Sequence, residues 1–146
     1  MKILLWGICS QNCSSNIANT LKYLNLDNCF SSIIGYDDIS LNNQKPNPAG
    51  FLKCLENIRF NNANVIVYIG SHQGDINFAY NAKIELSKIN RDLSIKTIAV
   101  SYSGAIPENW LVKADYIAKT PDEIKSIVKL IIEEAGHVIN PALSTN

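Results

Sequence analysis

The stretch "VIVYIGSHQGDINFAYNA", Val65 to Ala82, decides the fold of this chain. An apolar run ends at a glycine, a few polar residues follow, and the pattern then becomes amphipathic. The run predicts a buried strand, and the segment after the break predicts a helix. The break contains Ser71, His72 and one carboxylate, Asp75. Such a break can hold a phosphate or a metal, or it can be only a tight turn between a strand and a helix.

The same order of strand, polar break and helix recurs along the chain. We predict strands at Ile3–Cys9, Ser32–Tyr36, Val65–Ile69 and Ile95–Val100, with a short fifth strand in "ADYIA", residues 114–118. We predict helices over residues 15–25, from Asn47 and Pro48 onward, over Gly74–Asn90, and from Thr120 to Gly136. This alternation predicts an α/β fold, with helices on both faces of a parallel sheet.

Helical spacing and capping residues sharpen these predictions. Asn47 and Thr120 are candidate N-caps, Glu123 can close a capping box, and Gly136 is a candidate stop. The apolar residues that we expect to face the core recur at intervals of three or four: Ile17, Leu21 and Leu24; Phe51, Leu55 and Ile58; Ile124, Val128 and Ile131.

Composition limits the classes of function. With 146 residues, of which 47% are hydrophobic, we expect one domain over residues 1–136 and a frayed tail over 137–146. The formal net charge is zero and there is no basic run, so we expect neither nucleic-acid nor membrane-surface binding. No segment approaches the roughly 20 apolar residues of a membrane span.

The cysteines and the N-terminal run indicate the compartment. The chain has four cysteines, none in a CxxC pair, and no zinc half-site is completed, so we interpret them as reduced thiols of a cytoplasmic protein. The start "MKILLWGICSQNCSS" imitates a short signal peptide but has no small-residue cleavage site. We therefore interpret it as a buried strand.

Ligands of parallel α/β sheets bind beyond the carboxyl ends of the strands. In this chain that rule selects four groups: Ser10, Gln11 and Asn12; Asp37, Asp38 and Lys45; Ser71 to Asp75; and Ser101 to Gly104. Together these residues offer hydroxyls, backbone N–H groups, one lysine and a few carboxylates.

Each candidate has a functional and a structural interpretation. The hydroxyl of Ser10 and the following N–H groups can hold a phosphate oxygen, or they can cap a helix. Lys45, in "KPNP", can be a fixed positive charge for a phosphate or an acylphosphate, or a solvated loop residue. Asp75 can bind Mg²⁺, hydrogen-bond Lys45, or interact favourably with the positive end of its helix.

Taken together, the order and spacing of these residues resemble the haloacid dehalogenase superfamily, and most closely its phosphoglycolate-phosphatase-like members. "LLWGICSQN" resembles the strand whose terminal Ser or Thr, here Ser10, binds the phosphoryl group. "CFSSIIGYDDISLNNQKPNPAGFLKCLE" is similar to the region of the motif lysine, here Lys45. "VIVYIGSHQGDINFAYNA" resembles the metal loop, written GDxxxD in that family. The resemblance runs from about Ile3 to Val128.

The resemblance implies a Rossmann-like core with catalytic roles for Lys45 and Asp75 and phosphate binding by Ser10, Gln11, Asn12 and Lys45. It also implies a Mg²⁺ site at Asp75 and at position 71, where Ser71 replaces the family's Asp. A neutral hydroxyl is a much weaker ligand for a hard dication, so we expect weak or absent magnesium binding.

A second difference between this sequence and the family is larger. The family's nucleophile motif, DxDx[TV], occurs nowhere in the 146 residues. In the family its first Asp forms an aspartyl-phosphate and its second is the general acid/base. The motif's strand is central in the family's sheet, so its loss leaves strand edges and apolar surface exposed. We expect that the sequence is truncated, that a completing chain or a homo-oligomer fills the gap, or that the sheet closes up around it.

Two functions follow from the resemblance. The first is the C-terminal part of a Mg²⁺-dependent phosphatase acting on a small phosphorylated metabolite, inactive until the nucleophile segment is supplied. The second is a pseudophosphatase that keeps the fold as a phosphate-binding or protein-interaction module. A response-regulator receiver domain has a similar pattern, but the strands here lack its acidic cluster and phosphoacceptor Asp.

Overall fold

The computed structural model describes residues 4–59 and 65–139. Ile3 and most of the predicted tail lie outside this range. The chain divides into two compact units, residues 1–62 and 63–146. Both units contain parallel strands and helices, which confirms the predicted α/β class. The single domain over residues 1–136 stays a prediction.

The first unit contains a two-stranded parallel sheet. Its elements are β1 (Gly7–Cys9), α1 (Ser14–Tyr23), β2 (Ser32–Ile34), two 3₁₀ turns (Tyr36–Asp38 and Leu41–Asn43) and α2 (Ala49–Ile58). Gly7 pairs with Ser32 and Cys9 with Ile34. Both helices contact this sheet, so the unit is a strand–helix–strand–helix layer around one parallel pair.

The first strand is shorter and more exposed than the apolar pattern predicts. It begins at Gly7, and the side chains of Leu4, Leu5 and Trp6 are 51%, 55% and 48% exposed. In the described part of the chain, β1 pairs with β2 on one edge only. The interpretation of residues 4–6 as part of a buried strand is therefore wrong for this chain on its own.

The burial predicted for three residues of α1 is confirmed for two of them. Ile17 and Leu21 are buried, but Leu24 is 53% exposed. The helix has ended before Leu24, because Asn25 adopts a left-handed backbone (φ 57°) and the N–H of Leu26 donates to the carbonyl of Leu21 at 2.8 Å. This Schellman turn directs Leu24 out of the stripe.

Helix α2 starts one residue later than expected, at Ala49, so Pro48 and not Asn47 occupies the N-cap position. The Oδ1 of Asn47 still accepts the N–H of Ala49 at 2.9 Å. Phe51 is buried as predicted, and Cys54, which the pattern analysis omitted, is buried beside it.

The second unit contains a three-stranded parallel sheet in the order β3-β4-β5. Its elements are β3 (Val65–Gly70), α3 (Gln73–Ser87), β4 (Ser94–Val100), a 3₁₀ turn (Pro107–Asn109), β5 (Tyr116–Ala118) and α4 (Pro121–Ile139). One core cluster of this unit comprises Ile98, Val100, Ala118 and Ile131, with Ile124 and Val128 packed against it. The predicted face of α4 is thus confirmed.

The end of α4 differs from the prediction. The helix continues through Gly136 to Ile139. A glycine inside a helix costs only about 1 kcal/mol relative to alanine, so it permits a stop without imposing one. In the described residues no helix combines the length and the apolar character needed to cross a membrane.

Candidate functional site

Ser10 lies at the carboxyl end of β1, where its backbone and side chain form a turn. Its N–H donates to the carbonyl of Ile34 at 2.9 Å, and its Oγ accepts the N–H of Asn12 at 3.1 Å. The side chain thus closes a local turn, but it does not cap α1, whose N-cap position is Cys13. A hydroxyl that accepts one hydrogen bond still has its own O–H to donate, so the same side chain can also donate to a phosphoryl oxygen.

Lys45 reaches the same strand end from a different loop. Its Nζ donates to the carbonyl of Cys9 at 2.9 Å, and the side chain is half-buried. Cys9 immediately precedes Ser10, so the ammonium group and the serine turn meet at one end of β1. A cation in a partly desolvated position favours binding of a negatively charged group beside it. The solvated-loop interpretation of Lys45 does not fit this contact.

Gln11 and Asn12 complete the turn in different ways. Asn12 uses its Oδ1 to accept the N–H of Cys13 at 2.9 Å and an amide hydrogen of Asn16 at 3.2 Å. Its side chain therefore stabilises the start of α1. Gln11 is exposed, and its backbone N–H lies in the turn that follows Ser10.

The two aspartates of the loop after β2 act as caps. Asp37 accepts the backbone N–H of Ser14 at 2.7 Å and its hydroxyl at 2.8 Å, and Asp38 accepts the N–H of Gly35 at 2.8 Å. The backbone N–H of Ser14, and then its hydroxyl, hold the pKa of Asp37 below its ordinary value. These carboxylates thus stabilise α1 and its neighbouring loop.

Asp75 folds back over the end of β3. Its Oδ2 accepts the N–H groups of Ser71 and His72 at 3.2 Å each, and its Oδ1 accepts the hydroxyl of Tyr68 at 3.5 Å. Gly70 makes this possible, since a Cβ there would collide with the Asp75 side chain. Asp75 therefore satisfies N–H groups at the start of α3.

His72 is the second half of the same capping arrangement. Its Nδ1 accepts the N–H of Gly74 at 3.0 Å, while Asp75 binds the backbone of His72 itself. The two side chains thus form a capping box with histidine in the place usually taken by serine or threonine. The sequence pattern did not indicate this capping role of His72.

The residues of this loop do not fit a tight magnesium site. Mg²⁺ requires oxygen ligands in near-octahedral geometry. The loop offers one carboxylate, which already accepts hydrogen bonds, and the neutral hydroxyl of the exposed Ser71. Within residues 4–59 and 65–139, no three His, Cys, Asp or Glu side chains group closely enough to hold a metal ion.

The last candidate loop, Ser101 to Gly104, is a turn. Ser101 donates its N–H to the carbonyl of Ala118 at 3.0 Å, and Gly104 donates to the carbonyl of Ser101 at 3.2 Å. Gly104 has a φ of 93°, a backbone conformation that favours glycine. These hydrogen bonds form the turn that follows β4.

The candidate residues belong to both units. The first contains Ser10, Gln11, Asn12 and Lys45, and the second contains Ser71 and Asp75. The structure brings Lys45 to the end of β1 beside Ser10. The predicted meeting of Asp75 with these two residues stays a prediction, as do the catalytic roles of Lys45 and Asp75.

Comparison with known sequences identifies one family. The family model described as haloacid dehalogenase-like hydrolase matches residues 2–89, more than half of the chain. This range includes both Ser10 and Lys45 and the whole Ser71–Asp75 loop. Among curated proteins, no sequence matches the chain significantly.

Solved structures of low sequence identity share the fold. A β-phosphoglucomutase candidate from Thermotoga maritima superposes with a TM-score of 0.68 at 20% identity, over 88% of this chain and 53% of that one. A predicted phosphoglycolate phosphatase from Haemophilus somnus 129PT gives 0.64 at 19% identity, over 85% and 49%. A HAD-superfamily hydrolase from Ehrlichia chaffeensis gives 0.61 at 21% identity, over 88% and 51%. The present chain thus spans about half the length of these proteins.

Proposed function

This chain belongs to the haloacid dehalogenase-like hydrolase family, and from that premise we propose that it is the phosphoryl-binding part of a phosphatase core. The observation that carries the proposal is the contact of Lys45 with the carbonyl of Cys9, one residue before Ser10. It places a cation, a hydroxyl and the backbone N–H groups of a turn at one strand end. The substrate class that suits this set is a small phosphate monoester.

The chemistry assigned to these residues is binding and charge compensation. The Ser10 hydroxyl and the N–H groups of the turn hold non-bridging phosphoryl oxygens, and Lys45 offsets their negative charge as the P–O bond to the leaving alcohol breaks. The attacking group is a carboxylate from a segment outside the 146 residues. It forms an aspartyl-phosphate, which water then hydrolyses to phosphate and the free carboxylate.

Magnesium enters the proposal only as a weakly bound ion. The resemblance assigns it to Asp75 and position 71, but the donor set there is one hydrogen-bonded carboxylate and one serine. Tight metal binding needs further carboxylates beyond those of this loop.

A pseudophosphatase is the second candidate function. The observation that favours it is the use of Asp75 to satisfy the backbone at the start of α3. A loop of this kind keeps the fold while it offers little to catalysis. In this case the Ser10–Lys45 cluster binds phosphate, or a phosphorylated partner, without turnover.

Hydrolysis of p-nitrophenyl phosphate tests the proposal. The 146-residue chain is assayed alone and after fusion to an N-terminal strand segment that contains DxDx[TV]. We expect background rates from the chain alone, and measurable turnover from the fusion that disappears in Lys45→Met. The matched control is the fusion in which the first Asp of the motif is replaced by Asn.

The results of this assay distinguish the phosphatase from the pseudophosphatase. Phosphate binding that is lost in Lys45→Met, without turnover in the fusion, supports the pseudophosphatase. Hydrolysis by the chain alone that survives purification but vanishes in Ser10→Ala or Lys45→Ala contradicts the account, because the attacking group would then lie within the 146 residues.

A further inference from the structure

Two cysteines of the first unit bring their side chains together between β1 and α2. Cys9 ends β1, and Cys54 lies in the middle of α2. The Sγ of Cys9 lies 3.6 Å from the carbonyl oxygen of Gly50, which precedes Cys54 by one helical turn. Helix α2 contacts β1, so both thiols lie on the side of the helix that faces the strand.

The close approach of strand and helix depends on Gly7. A Cβ at this position would lie 2.5 Å from the Sγ of Cys54. Gly7 and Cys9 are two residues apart on β1 and therefore belong to the same face of the strand. The S–H of Cys9 donates to the carbonyl of Gly50, and Cys54 is the neighbour that most affects the pKa of Cys9. Neither sulfur is in a disulfide.

Two neighbours affect the pKa of the Cys54 sulfur. They are Cys9 and the buried Ser32, whose hydroxyl accepts the amide of Asn57 at 3.3 Å. The Cys9 thiol first, and then Ser32, lower the pKa of Cys54 to about 7, although burial raises it. The same interaction with Cys54 raises the pKa of the Cys9 thiol. The interaction of the two thiols thus favours the charged form of Cys54 and the neutral form of Cys9.

We propose that Cys9 and Cys54 are a dithiol redox site that closes to an intramolecular disulfide when the chain meets a hydroperoxide. The sulfur of Cys54 attacks the peroxide, the O–O bond breaks, and Cys54 becomes a sulfenic acid while hydroxide or an alkoxide leaves. The sulfur of Cys9 then attacks that of Cys54, the S–O bond breaks, and the departing oxygen takes up the proton of Cys9 to leave as water. The peroxide is reduced by two electrons, and the two thiols are oxidised.

The location gives the disulfide a structural consequence. The carbonyl of Cys9 accepts the hydrogen bond of Lys45, and the next residue is Ser10. A covalent link from Cys9 to α2 therefore fixes the strand end that carries both groups. The dithiol site is inferred from the positions of Cys9 and Cys54 between β1 and α2. It does not depend on the proposal that the chain is part of a phosphatase.

Peptide mapping under non-reducing conditions tests the site on the wild-type chain. The folded protein is treated with a small excess of hydrogen peroxide, alkylated, digested and analysed by mass spectrometry. We expect a linked pair of peptides through Cys9 and Cys54, two hydrogen atoms lighter than the sum of the reduced peptides and separated by dithiothreitol. The linkage should form about tenfold faster in the folded chain than in urea, where the four thiols are equivalent.

Two sets of variants separate the roles. In Cys9→Ser the sulfenic acid on Cys54 has no resolving thiol, and we expect its capture by a 1,3-dione reagent. In the matched control, with both Cys13 and Cys29 changed to Ser, we expect the same linkage at the same rate. Cys9 and Cys54 that stay reduced in the folded wild-type chain while Cys13 or Cys29 is oxidised overturn the proposal, as does a linkage pattern identical in folded and urea-treated protein.

Discussion

The polar breaks after β1 and β3 have the same place in their sequence pattern, yet their side chains are used differently. After β1, the Ser10 turn satisfies its own backbone, and a cation arrives from another loop, so a positive group lies at the strand end. After β3, Asp75 is already hydrogen-bonded to the N–H groups that an anion would otherwise find. We therefore propose that the first break binds an anion, whereas at the second the carboxylate of Asp75 already occupies the backbone N–H groups.

Replacement of Asp75 should have the largest effect on stability. Asp75→Ala leaves two backbone N–H groups at the start of α3 without their acceptor, and we expect the free energy of unfolding to fall by about 2 kcal/mol. Urea denaturation measures this change. In Asp75→Asn the amide oxygen still accepts, so a loss of about half that size is expected. An unchanged midpoint in Asp75→Ala would show that this carboxylate is not used structurally.

Replacement of Lys45 should affect binding more than stability. Lys45→Met keeps the length and apolar stem of the side chain but removes the charge, and we expect about tenfold weaker phosphate binding. The cost in unfolding free energy should be below about 1 kcal/mol, because a carbonyl such as that of Cys9 can turn to water. Calorimetry with inorganic phosphate measures the first quantity and urea denaturation the second.

The matched control for Lys45 is Lys53→Met, which removes a lysine from the same unit. Lys53 is exposed and donates to the carbonyl of Asp38 at 3.0 Å. We expect this variant to bind phosphate like the wild type. Equal losses in the two variants would mean that net charge, and not the position of Lys45 beside Ser10, governs binding.

The smallest effect concerns the pH dependence of the first unit. The folded-state pKa of Asp37 is below its ordinary value because Ser14 donates to the carboxylate. Its contribution to stability is therefore present above the unfolded value of about 3.9, and is lost as the pH falls through the lower folded value. We expect Asp37→Asn to destabilise the chain at neutral pH and to reduce this acid-dependent loss, as measured by urea denaturation across the pH range.

The control for this titration is Asp27→Asn, which removes an exposed carboxylate of the same unit. It corrects for the general effect of one negative charge. If both variants show the same pH dependence, the hydrogen bonds from Ser14 do not stabilise the folded state.

Local patterns predicted most elements of the fold because they act through neighbours in sequence. The cap of α4 is an example: Thr120 accepts the N–H of Glu123 at 3.2 Å, while the Glu123 carboxylate accepts the N–H of Lys119, one residue earlier than a capping box requires. Periodicity did not indicate where a helix ends, because a left-handed residue such as Asn25 can stop it within the apolar stripe.

The candidate site was less predictable for a different reason. The type of residue at a strand end limits its chemistry, but its use depends on which groups the fold brings within about 3 Å. The approach of Lys45 to Cys9 spans 36 residues of sequence, and no local pattern encodes it. For Asp75 the sequence left several alternatives open, and the contacts with Ser71 and His72 show that it interacts with the start of α3.

A phosphate titration followed by amide NMR tests the central claim most directly, because it reports each strand end separately. Inorganic phosphate is added to the ¹⁵N-labelled chain without metal. We expect saturable shifts at the amides of Ser10, Gln11 and Asn12 that are lost in Lys45→Met, with little change at Ser71 and His72. Shifts centred on Ser71 and His72, or none that saturate at Ser10, would contradict it.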